Sequence, residues 1–214
     1  MCWNQDVSLN TFLFGSFMLA LVFYNNSYTK YTIPDIHDRW VYLFFMSVIS
    51  MQLIEFFIWR NIHHPYYNHL FTCLALLLLF IQPIVSMMIV KNIPLRHLLL
   101  ISYLFLAIPY SIYTGLTTQI RSVISKNGHL RWIQFPMHLL VWVVWLFFFL
   151  FSAVYGKKWF GLIFGLITLM IAFLNYQKDN TVASMWCWMV NSISIYYAVY
   201  LLLYLPFVEK GSIC

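Results

Sequence analysis

A single carboxylate lies well inside an apolar segment of this 214-residue chain. The segment MQLIEFFIW, residues 51–59, carries Glu55 four places before its end. Gln52, Glu55 and Trp59 are spaced three and four residues apart, which places them on one face of a helix. A carboxylate at mid-membrane costs about 2.5–3.5 kcal/mol on insertion scales, so Glu55 is expected to face the interior of a helix bundle as a titratable functional group.

Two other apolar segments carry polar residues at helical spacing. If each segment is a helix, its polar residues fall on one face. They are Ser184, Cys187, Asn191 and Ser194 in one segment, and Asn68, Thr72, Gln82 and Ser86 in the other. Three helices with one polar face each are expected to turn those faces toward one another. The alternative is that the polar groups only bond helices together, at about 0.6 kcal/mol each.

The composition excludes a soluble globular domain. Hydrophobic residues make up 63% of the chain and charged residues 8%, whereas soluble domains carry about 25% charged residues. The net charge of +6 comes from basic residues scattered over the loops without a run or a spaced patch. We interpret them as orientation signals and headgroup contacts, and not as a nucleic-acid site.

The hydropathy pattern predicts an all-α fold, a polytopic integral membrane bundle of seven transmembrane helices in one domain over residues 1–214. About 20 apolar residues cross a bilayer as a helix. The seven apolar runs are 9–24, 40–59, 69–90, 94–114, 136–156, 159–175 and 184–206. Pro83 and Pro109 fall inside runs three and four, where we expect kinks.

The distribution of lysine and arginine favours an exoplasmic N-terminus. With seven crossings, the loops on the N-terminal side carry five basic residues: Arg60, Arg121, Lys126, Arg131 and Lys178. The opposite side carries seven: Lys30, Arg39, Lys91, Arg96, Lys157, Lys158 and Lys210. The positive-inside rule assigns the richer side to the cytoplasm.

Threading the seven runs up and down gathers most chemically versatile side chains at one end of the bundle. The candidate binding pocket comprises Glu55, Gln52, Gln82, Asn191, Cys187, Cys2, Trp186, His129 and His138. His138 and Glu55 would form a proton-relay pair if they faced each other. Weak zinc ligand candidates are Cys2, Glu55, Cys187 and His129, although no two of them have a compact ligand spacing.

Five short motifs occur in order along nearly the whole chain: MCWN, MQLIEFFIW, IQP, NGHLRW and MWCW. Together they resemble a family of small seven-span membrane proteins of unknown function found in large DNA viruses and, in a more distant form, in bacteria. The bacterial form begins MCWS, so Asn4 departs from it and is similar to the viral branch. The positions that match the family motifs are Cys2, Trp3, Glu55, Gln82, Pro83, His129, Trp132, Trp186 and Cys187. The resemblance implies a viral origin, and it implies no particular activity.

Three functional hypotheses follow. The first is permeation or transport of an ion or small solute, with Glu55 as the titratable group. The second is a membrane-embedded enzyme, metal-dependent or not, that acts on lipid with Glu55 as general base. The third is a structural or assembly protein of a viral membrane. The bilayer of a host or viral membrane is the expected partner, and Gly161 with Gly165 is a small-xxx-small pair compatible with a homo-oligomer.

Overall fold

The structure is a computed structural model that describes residues 4–132 and 139–210, except for the side chains of residues 209 and 210. The described residues form helices and one short hairpin. The helices are α1 (Gln5–Tyr28), α2 (Arg39–Arg60), α3 (Pro65–Met88), α4 (Ile93–Thr117), α5 (Leu139–Tyr155), α6 (Trp159–Tyr176), α7 (Val182–Asn191), α8 (Ile193–Val199) and α9 (Leu205–Lys210). A π-helix, Tyr200–Tyr204, joins α8 to α9, and the hairpin strands are β1 (Ser122–Ile124) and β2 (Leu130–Trp132).

Within the described residues, six helical stretches are long and apolar enough to cross a membrane: α1, α2, α3, α4, α6 and the combined stretch Val182–Val208. Helix α5 is the most apolar but has only 17 described residues, because the predicted run 136–156 begins outside the described ranges. The other predicted runs coincide with helices to within a few residues. These helices identify the chain as an integral, multi-pass membrane protein.

Helix starts are set by capping residues that the sequence supplies. Asn4 accepts a hydrogen bond from the backbone N–H of Val7 at 2.9 Å, and Asn92 accepts one from Leu95 at 3.0 Å. Asp38 caps α2 in the same way. Asparagine and serine are both favoured N-caps, so the exchange of serine for Asn4 preserves the start of α1.

The helices pack in an order close to that of the sequence. Helix α2 packs between α1 and α3, α5 packs on α3, and α6 packs on α7. Helix α4 is peripheral and rests mainly on α3. Large apolar side chains such as Leu98, Phe105 and Leu116 are mostly exposed on the outside, as expected of a surface whose solvent is hydrocarbon.

The loop between α4 and α5 contains a short β-hairpin that the hydropathy pattern does not predict. β1 and β2 pair antiparallel, with Ser122 opposite Trp132 and Ile124 opposite Leu130. Gly128 adopts a left-handed φ of 78° in the connecting turn. Leu130 and Trp132 are almost fully buried in a core cluster formed with α2 and α3. The hairpin therefore closes one end of the bundle, and the rest of the fold in the described residues is helical, as predicted.

Candidate functional site

Glu55 lies on the buried face of α2, as its spacing with Gln52 predicts. Both side chains have zero exposure, and Gln52 Nε2 donates a hydrogen bond to Glu55 Oε2 at 3.0 Å. Met51 and Ile58, which flank Glu55 on the same face, are also fully buried in the core cluster beneath the hairpin. The carboxyl group therefore faces the bundle interior and not the acyl chains.

Helix α7 brings a second predicted site residue to this carboxyl group. Helix α7 packs against α2, and Cys187 contacts the core cluster that contains Met51 and Ile58, the residues on either side of Glu55. Each residue lies five positions from the hairpin-side end of its helix, α2 or α7, which corresponds to about 7–8 Å of helix rise. The polar faces of α2 and α7 thus meet, as the sequence predicted for those two helices.

One turn deeper, Asn191 extends this polar seam. Its Nδ2 donates to the carbonyl oxygen of Cys187 at 2.7 Å, so the two side chains share a face of α7. Asn191 lies nine residues from the start of α7 and Gln52 eight from the end of α2. At 1.5 Å of rise per residue, both residues lie about 12–14 Å from the hairpin-side ends of their helices. The α2–α7 seam is defined here as Gln52, Glu55, Cys187 and Asn191.

The seam contains two amide oxygens with unused hydrogen-bonding capacity. Gln52 Oε1 and Asn191 Oδ1 are buried without a donor anywhere in the described part of the chain. A buried acceptor that lacks a donor costs about 1–3 kcal/mol. The arrangement suits a ligand that brings hydrogen-bond donors or positive charge, and a carboxyl group beside it can exchange a proton.

The hairpin is held over the seam by side chains of α3 and α7. Asn68 Nδ2 donates to the carbonyl oxygen of Ser122 at 2.9 Å, and Asn68 Oδ1 accepts from the Ser122 N–H at 2.8 Å. Asn68 therefore pairs with Ser122 as a neighbouring strand would. Thr72 adds a hydroxyl contact to the Ser122 hydroxyl at 2.9 Å, and Ser184 Oγ donates to the Leu130 carbonyl at 2.8 Å.

The polar face of α3 is buried as predicted, but most of it binds elements other than the seam. Gln82 donates to the carbonyl of Ser47 at 3.2 Å, and Ser86 bonds to Ser152 of α5 at 2.7 Å. The polar face of α3 therefore reaches α2 at Gln82, whereas Ser86 bonds to α5 and Asn68 to the hairpin. Spacing identifies the buried face of a helix, whereas it does not identify which neighbour covers that face.

Trp186 is adjacent to Cys187 in sequence but points to another part of the bundle. Its indole Nε1 donates to the carbonyl of Gly165 at 3.1 Å and lies 3.2 Å from Thr168 Oγ1. Consecutive residues of a helix are rotated by about 100°, so Trp186 packs toward α6 while Cys187 turns toward Glu55. The Trp186 indole therefore links α7 to α6.

His129 lies at the tip of the hairpin, packed edge-on against Tyr176 with ring centroids 5.4 Å apart. Its backbone N–H donates to Asn127 Oδ1 at 3.1 Å. Burial lowers the pKa of His129, and the charge of Asp179 opposes that shift. The neutral imidazole is therefore the form that the folded hairpin favours.

Cys2 and His138 lie outside the described residues, so the predicted Glu55–His138 relay and the Cys2 ligand remain predictions. Within residues 4–132 and 139–210, no group of three or more histidine, cysteine or acidic side chains is arranged to hold a metal ion. Cys73 and Cys187 are free thiols.

A cleft that no sequence pattern predicts opens between α4 and α5. It has a volume of about 320 Å³ and is lined mostly by apolar and aromatic side chains of α3, α4, α5 and α7. Ile120 borders it at the hairpin end, and Cys187 reaches its inner wall. A gap between helices leaves no periodic signature in a sequence, so spacing could not reveal it.

Comparisons with models of protein families, with curated proteins and with solved structures find no significant match to this chain.

Proposed function

We propose that the protein is a proton-linked permeation protein in which Glu55 takes up and releases a proton as an ion or small solute passes. The observation that carries this proposal is a fully buried carboxyl group hydrogen-bonded to Gln52 on the inward face of α2. An ionisable group inside a membrane span is a functional site by default, because hydrocarbon selects against it.

Two features of the seventh helical stretch support transport over a purely structural role. Helix α7 ends at Asn191, which belongs to the seam, and α8 begins at Ile193. Ser192 between them keeps helical backbone angles, but its N–H bonds to the Met189 carbonyl three residues earlier, so the turn is tightened. A tightened turn inside a helix often marks a functional hinge. The π-helix Tyr200–Tyr204 is a second irregularity in the same stretch, and π-helical turns are frequent at functional positions. Such interruptions permit one half of a span to move relative to the other.

We further propose that the chain crosses the membrane seven times. Helix α5 is highly apolar, and it connects the hairpin end of the bundle to α6 on the opposite side. We place the N-terminus on the exoplasmic side, following the lysine and arginine distribution. The family resemblance adds that the membrane belongs to a virus or its host.

Proton flux into liposomes tests the function. The full-length protein is reconstituted into liposomes that contain a pH-sensitive dye, and a potassium gradient with valinomycin sets the membrane potential. Wild-type protein is expected to acidify the lumen faster than protein-free liposomes. Glu55→Gln, which keeps the side-chain shape and removes the titration, is expected to reduce the rate to that of protein-free liposomes.

Asp6→Asn provides the matched control. It makes the same carboxylate-to-amide change at an exposed position in the first turn of α1, and it is expected to retain wild-type flux. Equal flux through wild-type protein and Glu55→Gln would refute the proposal, as would equal flux in wild-type and protein-free liposomes.

A lipid-acting enzyme is the second candidate, and the cleft favours it. Cys187 lines the cleft and also belongs to the α2–α7 seam, so a lipid entering from the bilayer would be separated by this side chain from a carboxylate able to act as general base. Incubation with defined phospholipids, followed by mass spectrometry, would show a new product in wild-type protein that is absent from Glu55→Gln.

A further inference from the structure

The cleft results from the way α4 and α5 separate toward the hairpin. Tyr103 of α4 and Phe148 of α5 are in contact, with ring centroids 5.2 Å apart. Beyond this contact, α4 borders the cleft as far as Gly115. Pro109 lies within this stretch and lacks the N–H that would bond to the fourth preceding carbonyl. An interruption of this kind permits α4 to diverge from α5.

The dimensions of the cleft match one chain of a bilayer lipid. From Tyr103 to Gly115, α4 advances twelve residues, or about 18 Å. Half of a hydrocarbon core is about 15 Å thick, so the cleft extends over about one leaflet. Its volume of about 320 Å³ lies within the range of small-ligand sites, about 300–1,000 Å³.

Two arginines lie on the hairpin next to the end of the cleft. Ile120 lines the cleft, and Arg121 is the next residue. In the hairpin register Arg131 is opposite Val123, and the alternation of a strand places Arg121 on the same face as Val123. Neither arginine forms an ion pair within the described ranges. Their guanidinium groups are thus available to an external anion.

Basic residues also outnumber acidic ones over the whole hairpin end of the bundle. The described basic residues there number five, namely Arg60, Arg121, Lys126, Arg131 and Lys178, and the described acidic residues number two, namely Asp6 and Asp179. An apolar slot one leaflet deep, beside a hairpin that carries two arginines on its outer face, is complementary to an anionic amphiphile. Arginine suits phosphate oxygens because its fork donates two parallel hydrogen bonds.

We propose that the cleft between α4 and α5 binds an anionic phospholipid of the bilayer. One acyl chain occupies the space between Tyr103 and Gly115, and the headgroup phosphate contacts Arg121 and Arg131. Because Cys187 lines the inner wall and belongs to the α2–α7 seam, the bound chain lies next to that seam. This inference does not depend on proton movement through Glu55.

Native mass spectrometry of the full-length protein in detergent tests this inference. The protein is offered phosphatidylglycerol and phosphatidylcholine with identical acyl chains. Wild-type protein is expected to retain phosphatidylglycerol preferentially, and Arg121→Gln is expected to weaken that retention about fivefold. Arg60→Gln, at the same end on the last turn of α2, is the charge-matched control and is expected to leave retention unchanged.

A second pair of variants tests the acyl-chain slot. Ala107 lines the cleft, whereas Ile108 does not and is 45% exposed on α4. Ala107→Phe is expected to reduce retention of phosphatidylglycerol, and Ile108→Phe to leave it at the wild-type level. Equal retention of the two lipids by wild-type protein would overturn the inference. So would equal losses in Arg121→Gln and Arg60→Gln, or wild-type retention by Ala107→Phe.

Discussion

Trp145 donates its indole Nε1–H to the carbonyl oxygen of Leu79 at 2.9 Å, and Leu79 is the fourth residue before Pro83. A helical N–H bonds to the carbonyl four residues earlier, so proline leaves this carbonyl without its usual donor. The adjacent carbonyl, of Phe80, accepts from the Tyr103 hydroxyl at 2.9 Å. Side chains of α4 and α5 therefore satisfy backbone groups that hydrocarbon cannot satisfy.

Trp145→Phe is expected to destabilise the protein by about 1–3 kcal/mol, because it leaves the Leu79 carbonyl buried without a donor. Pro83→Ala supplies a backbone N–H for that carbonyl. The loss caused by Trp145→Phe is expected to be smaller in the Pro83→Ala background. Reversible unfolding in mixed detergent measures all four species of this double-mutant cycle. Strict additivity of the two substitutions would show that the indole does not compensate for the proline.

Asn68→Ala is expected to loosen the hairpin, because the N–H and carbonyl of Ser122 both lose their partner. A loss of about 2 kcal/mol corresponds to about thirtyfold faster hydrogen exchange in residues 118–132. Asn175→Ala is the matched control, since Asn175 is exposed on α6 and bonds only within its own helix. Unchanged exchange in Asn68→Ala would contradict the assigned role.

The sequence predicts the helices well because membrane spans are specified by length and apolar composition. It also predicts the burial of Glu55, since a helix in hydrocarbon must turn its rare acid inward. The hairpin is less obvious: Asn127 and Gly128 signal a turn, but each strand has only three residues. Its attachment to Asn68 joins positions 54 residues apart, and no local pattern reports such a contact. The cleft depends on relative helix placement, which spacing does not determine.

The stability of the protein is expected to depend on pH through His129. Burial lowers the pKa of this group below its ordinary value of 6.5, so the unfolded chain binds a proton more readily than the folded protein. Stability is therefore full above about pH 6.5 and declines as the pH falls toward the lowered pKa of the folded state. His129→Gln is expected to reduce the slope of thermal stability against pH in that window.

His97→Gln is the control for this pH dependence, because His97 is exposed on α4 at the opposite end of the bundle. It is expected to retain the wild-type slope. If His129→Gln retained the same slope as well, protonation of His129 would not be the cause.

The seven-span topology predicts that the two ends of α5 lie on opposite sides of the membrane. Lys126 is exposed in the hairpin turn before α5, and Lys158 is exposed immediately before α6. Lys126→Cys and Lys158→Cys are expected to react with an impermeant maleimide from opposite sides of sealed vesicles, with wild-type protein as the background. Labelling of both from the same side would restrict the chain to an even number of crossings and would contradict the proposal.

Infrared difference spectroscopy between two pH values tests the central claim most directly, because it detects the protonation of Glu55 itself. The wild-type protein is expected to show a carboxyl band that appears as the pH falls, that is absent from Glu55→Gln and that persists in Asp6→Asn. A wild-type spectrum identical to that of Glu55→Gln would mean that this buried group does not exchange its proton, and the proposed function would fail.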